Sequence, residues 1–117
     1  MSCSPTTRGP IVTAARGGIR NAQPLLNWAA RHDSWIIEDD YDSEYRFAGH
    51  PIAAVQGLSA EDRVIYAGTF SKVLFPALRV GYLVIPKSLI AGFCAARDAI
   101  DLFPATLCQQ ALTDFFR

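Results

Sequence analysis

Arg63-Val-Ile-Tyr-Ala-Gly-Thr-Phe-Ser-Lys-Val-Leu-Phe-Pro-Ala-Leu-Arg-Val-Gly-Tyr82 is the stretch on which the fold turns. Its opening apolar run, ending at Gly68, predicts a short buried strand. Thr69-Phe-Ser-Lys72 follows at once, so a lysine and two hydroxyls stand just past the strand's C-terminal end. The run Val80-Gly-Tyr-Leu-Val-Ile85, closed by Pro86, predicts a further strand. Only about seven residues separate it from Lys72, too few for a crossover helix, so the two strands are expected to be antiparallel. A lysine in such a place becomes nucleophilic when its ammonium is partly desolvated, because desolvation lowers its pKa and frees the amine. Taken alone, the Thr-Phe-Ser-Lys tetrapeptide is more often an ordinary surface turn.

Working outward, Ser34-Trp-Ile-Ile-Glu38 predicts another buried strand and runs into the acidic cluster Glu38-Asp-Asp-Tyr-Asp42. Two polar clusters, each past a strand, converge on one ligand if the strands are neighbours, and ligands of open α/β sheets sit at such carboxyl ends. Upstream, Leu25, Trp28, Ala29 and His32 recur at helical spacing after a polar start, with Pro24 tolerated in the first turn. Residues 1–20, rich in Ser, Thr, Arg, Gly and Pro, are read as an irregular leader. Residues 88 to about 100 and 105–116 carry helical patterns divided by Phe103-Pro104. The resulting order, α-β-β-β-α-α, is part of an α/β fold.

Half of the 117 residues are hydrophobic and 19% are charged, which suits a globular core of at most one small domain. Eleven basic residues balance eleven acidic ones, leaving no electrostatic footprint for wrapping a phosphate backbone. The longest apolar stretch, residues 73–86, contains Arg79 and is too short to span a bilayer. The N-terminus lacks the apolar region of a secretory signal, so a cytoplasmic location is expected. Cys3, Cys94 and Cys108 show no paired spacing, and with two histidines there is no metal-site pattern. Cys94 and Cys108 are read as packing residues of their helices, Trp28, Trp35, Phe70 and Phe75 as core, and His32 and His50 as capping or surface residues.

Together, Trp35-Ile-Ile-Glu-Asp-Asp-Tyr-Asp-Ser-Glu-Tyr-Arg-Phe47 and the stretch from Arg63 to Tyr82 resemble the aminotransferase-like domain of MocR-type bacterial transcription regulators of the GntR family. That domain is of the class I/II aminotransferase kind, PLP fold type I. The resemblance runs from about Leu25 to the C-terminus and includes the 33-residue separation of Asp39 and Lys72. It implies a partial fold-type-I large domain over residues 21–117, with three adjacent strands and flanking helices, and pyridoxal 5'-phosphate as cofactor. It further implies that Lys72 is the catalytic, Schiff-base lysine, that Asp39 pairs with the pyridinium nitrogen and that Tyr41 contacts the O3′ oxygen. Ser71 and Thr69 are implied near the cofactor phosphate, with Arg79 as its guanidinium partner. Asp40 and Asp42 are read instead as solvated loop charges.

The family's phosphate loop, ring-stacking aromatic and asparagine are expected upstream of Leu25 and are not recognisable there. The substrate-gripping arginine and the DNA-reading domain are expected outside this chain, which is therefore read as a fragment. The leading functional expectation is an effector-sensing module for an amino-acid-like small molecule. In that reading DNA is contacted through another domain and the parent protein is a homodimer. A true aminotransferase and an inert remnant are the alternatives.

Overall fold

A computed structural model describes residues 11–15, 21–40, 53–59, 62–71, 74, 76–101 and 105–117. Tyr41, Asp42, His50, Lys72 and Phe75 fall outside the described residues, as does Cys3. The elements run β1 (Ile11–Ala15), α1 (Gln23–Arg31), β2 (Trp35–Asp40), α2 (Val55–Leu58), β3 (Val64–Thr69), β4 (Gly81–Val84), α3 (Ile90–Ile100) and α4 (Thr106–Phe115), with short 3-10 turns at Pro76–Leu78 and Lys87–Leu89.

The sheet has the order β1-β2-β3-β4. β1 and β2 are parallel, β2 and β3 are parallel, and β3 and β4 are antiparallel. The short connection out of β3 thus folds back as expected. Two expectations need correction. Ile11–Ala15 is a strand within the segment read as irregular leader, because its five residues find a parallel partner in β2 from Ile11↔Trp35 to Ala15↔Asp39. The sheet accordingly has four strands rather than three.

α1 begins where Asn21 Oδ1 accepts the Gln23 N–H at 3.2 Å and Pro24 occupies the first turn. Arg31 lies in its last turn, where a cation complements the helix dipole. His32 closes the helix: its N–H donates to the Trp28 carbonyl, and its ring stacks on Trp28 at 4.8 Å. The following turn passes through Asp33 at φ 49°, a left-handed conformation that Asp tolerates. Arg63 then ties this turn to the start of β3 through a 2.7 Å ion pair with Asp33.

α1 and α2 cover one face of the sheet. Ala22, Leu26, Ala29, Ile36, Val55 and Val64 form the core, with Leu25 and Trp28 packed against it. Each large member contributes about 1.5–3 kcal/mol by leaving water. Glu38 is fully buried on this same face, and its carboxylate accepts the N–H groups of Val55 and Gln56, both at 3.0 Å. α2 is thereby fastened to β2. No helix among the described residues is long and apolar enough to cross a membrane.

The other end of the chain is less enclosed. β4 is exposed along its whole length and α3 has no buried residue. Cys94 is exposed and Cys108 half-buried, so Cys94 is not the packing residue its helical pattern suggested.

Candidate functional site

Side chains alternate along β2, which makes Ile36, Glu38 and Asp40 buried and leaves Asp39 exposed on the opposite face. The register places Asp39 beside Ala67 and pairs Thr69 with Gly81, so these four residues share one face at the C-terminal ends of β2 and β3. A cavity of about 540 Å³ opens there, and Asp39, Thr69, Ser71 and Arg79 all line it. Both polar clusters therefore meet, as neighbouring parallel strands require. Tyr41 and Lys72 lie outside the described residues; in sequence Lys72 follows Ser71 directly and Tyr41 stands two positions after Asp39.

The Thr69 hydroxyl accepts the Ser71 N–H at 3.2 Å and donates to the Val80 carbonyl at 3.4 Å. That same carbonyl accepts the Phe70 N–H at 3.0 Å, so the chain leaving β3 is tied to the residue before β4. Arg79, on this return path, has φ 47°. A left-handed arginine is strained by about 1–2 kcal/mol relative to an ordinary conformation. The strain sits at the cavity wall.

Asp40 departs from expectation. It is 3% exposed rather than solvated, and its carboxylate accepts the Tyr66 hydroxyl. Burial first, then the hydrogen bond to Asp40 and contact with Tyr82, raise the Tyr66 phenol far above its ordinary range. Asp40, Gly68 and Tyr82 occupy one rung across β2, β3 and β4. Tyr82 lies over Gly68 so closely that a Cβ there would stand 2.4 Å from its ring. A side chain at that point would require the Tyr82 ring to swing away. The sequence contained this signal only as a Gly between two strand residues and a Tyr two positions earlier, neither of which singles out Asp40.

The cavity's chemistry suits an anionic ligand that also carries a cationic nitrogen: a carboxylate stands at Asp39, a guanidinium at Arg79, and hydroxyl residues at Thr69 and Ser71. Its volume is within the range of small-molecule sites. These residues fit pyridoxal phosphate. A second, mostly apolar cavity of about 520 Å³ lies on the same face between β4 and α3, walled by Leu83, Phe93 and Cys94.

No protein-family model matches the chain. It is 54% identical over 91 residues to the "Probable rhizopine catabolism regulatory protein MocR" of Rhizobium meliloti, covering 78% of this chain and 18% of that protein. It is 43% identical over 118 residues to the HTH-type transcriptional regulator YhdI of Bacillus subtilis, covering 98% of this chain and 24% of the relative. Among solved structures, the kynurenine aminotransferase of Pyrococcus horikoshii, crystallised with PMP, matches at TM-score 0.72 and 36% identity over 75% of this chain and 22% of that one. The α-aminoadipate aminotransferase LysN of Thermus thermophilus, complexed with N-(5'-phosphopyridoxyl)-L-leucine, matches at TM-score 0.73 and 29% identity over 80% of this chain and 25% of that one. The chain thus spans about a fifth to a quarter of the length of these proteins. With its α/β sheet and strand-end cavity, it belongs to the class I/II aminotransferase-like family of PLP fold type I, which MocR-type regulators share with aminotransferases, and spans part of that fold's large domain.

Proposed function

We propose that the chain is the PLP-binding part of the effector-sensing domain of a MocR-type transcription regulator, with Lys72 as its Schiff-base lysine. The observation that supports it most is the single cavity shared by Asp39, Thr69, Ser71 and Arg79, whose last strand residue leads in three steps to Lys72. When bound, the cofactor supplies an electron-withdrawing ring. Asp39 would hold a proton on the ring nitrogen, Tyr41 would serve the ring's oxygen, and Arg79 with Thr69 and Ser71 would hold the phosphate. Lys72 would attach the cofactor through its amine, and an amino-acid-like small molecule that displaced it there would shift the domain's conformational equilibrium. DNA recognition is assigned to a separate domain of a cytoplasmic, homodimeric parent protein. The balanced charge of this chain and its 54% identity to MocR favour that division.

The second reading is an aminotransferase that moves an amino group between an amino acid and a 2-oxo acid. It is favoured by 36% identity over 85 residues to aromatic-amino-acid aminotransferase 1 of Thermococcus litoralis, covering 73% of this chain and 20% of that protein. Both readings need Lys72. The chain contains two lysines, Lys72 and Lys87, so borohydride trapping of added pyridoxal phosphate followed by peptide mass spectrometry is decisive. The expected mark is on Lys72 and disappears in Lys72→Ala; a mark confined to Lys87, or none, refutes cofactor attachment. Amino transfer to a supplied 2-oxo acid would favour the enzyme over the sensor.

A further inference from the structure

Thr69 and Ser71 line the cavity, whereas Phe70 between them does not. The Phe70 ring instead meets two others, Tyr82 at 5.0 Å and Phe116, the residue that closes α4, at 5.8 Å. Tyr82 lies in turn 6.0 Å from Tyr66, whose hydroxyl donates to Asp40 at the cavity wall. One row of rings thus backs the wall at Asp40 and between Thr69 and Ser71, and it ends on the C-terminal helix.

The two ends of this row are held differently. At the inner end, the Phe70 N–H donates to the Val80 carbonyl and the Phe70 carbonyl accepts the Leu74 N–H, both at 3.0 Å, while the Ser71 N–H is held by the Thr69 hydroxyl. Thr69 and Ser71 therefore cannot shift without carrying Phe70 with them. At the outer end Phe116 is 64% exposed, and Leu112, one turn earlier on the same helix face, is the buried residue of α4. Tilted ring pairs at these separations are favourable but weak. The hold of α4 on the row is thus one that small changes at the wall can strengthen or release. A ligand shifts such an equilibrium only through contacts that differ between the two states, and a ligand on Thr69 and Ser71 has them.

We infer that α4 is the element that reads the state of the cavity, with Phe70 as the positioning residue that couples the Thr69 and Ser71 wall to the docking of α4 through Phe116. The cavity is formed here with α4 docked, so a ligand that fills it favours the docked helix. Linkage makes the effect reciprocal: releasing α4 weakens the ligand by the factor by which the ligand steadies α4. The inference rests on the reading of this cavity as the cofactor site of a sensing domain.

The test uses the whole chain with pyridoxal phosphate as the probe, its Kd taken from calorimetric titration and amide exchange followed residue by residue by NMR. Phe116→Ala is expected to raise the Kd about fivefold, the worth of one aromatic pair. It should speed exchange of the Phe70 and Ser71 amides by a similar factor while leaving those of β2 unchanged, which separates coupling from general loosening. Phe116→Trp, which keeps a ring, restores both. In the parent chain pyridoxal phosphate slows exchange in the last turn of α4, and in Phe70→Leu it no longer does so. Leu107→Ala, on the same helix and 86% exposed, keeps the parent Kd. An unchanged Kd in Phe116→Ala, an equal loss in Leu107→Ala, or an α4 that exchanges alike with and without the probe overturns the inference. Phe116 and Leu107 are both exposed, so these arms decide the matter even if Phe70→Leu fails to fold. A parent chain that binds no pyridoxal phosphate overturns the cofactor reading; the link between α4 and the wall then stands or falls on the Phe70 and Ser71 exchange in Phe116→Ala, which needs no ligand.

Discussion

Arg79 and Tyr66 show how single residues at this site trade local stability against placement. Arg79 keeps a left-handed backbone at φ 47° beside the cavity. Glycine at that position would escape about 1–2 kcal/mol of conformational strain while adding about 0.5–1 kcal/mol of backbone entropy cost. The strain outweighs the entropy, so Arg79→Gly is expected to stabilise the chain by about 0.5 kcal/mol in urea denaturation. The same variant should bind pyridoxal phosphate more weakly, because the guanidinium is gone. Tyr66 makes a pH prediction. Folding raises its pKa, so between the unfolded value of about 10 and the folded one the native chain binds more protons than the unfolded chain. Its contribution is complete below pH ~10 and is lost as pH rises further. Thermal melts should fall above that pH, and the fall should be shallower in Tyr66→Phe.

At the scale of elements, the acidic run after β2 separates into three different roles. Glu38 fastens α2, Asp40 is buried against the Tyr66 hydroxyl, and Asp39 is exposed on the opposite face, with both aspartates at the cavity wall. α2 is only four residues long, well short of a self-supporting helix. It persists because Glu38, 17 positions earlier, accepts its first amides and Val55 enters the core. Glu38→Ala leaves those two amides without their acceptor and should cost about 3 kcal/mol in chemical denaturation. Glu38→Gln, which keeps one acceptor oxygen, should cost about half as much. The loss should be accompanied by fast hydrogen exchange at Val55 and Gln56.

Across the whole molecule, packing is uneven. Most of the buried residues lie in α1, β2, α2 and β3, whereas Leu83, Val84, Ile90, Leu107, Phe115 and Phe116 are exposed. The Cα radius of gyration is 16.4 Å, against about 13 Å for a compact domain of this length. Exposed apolar surface of this extent promotes association. Amides of α3 should therefore exchange at least tenfold faster than those of β2 and β3 in hydrogen-exchange mass spectrometry. The chain should also bind a hydrophobic dye such as ANS in its native state. Uniform protection and no dye binding would contradict this picture.

Much of the fold was legible from local pattern, because its signals are local. Val64 to Thr69 reads as a strand from its own residues, the short return to Gly81 forces an antiparallel partner, and α1 shows its apolar face through Trp28 and Ala29. Thr69, Ser71 and Arg79 are near enough in sequence to suggest one site, and Asp39 joined them by resemblance. β1 was hidden because five residues among Gly, Pro and Arg become a strand only when β2 lies alongside. The difference between Asp39 and Asp40 was hidden for a stronger reason. Two identical neighbours in a strand carry no information about which face each takes; the core around Ile36, the amides that bind Glu38 and the Tyr66 hydroxyl on Asp40 leave Asp40 buried and Asp39 exposed. The sequence by itself thus determined the strand ends and the chemistry gathered there. Only the tertiary structure decided which carboxylate is buried and which is exposed, because facing is a property of register, and register is set by partners distant along the chain.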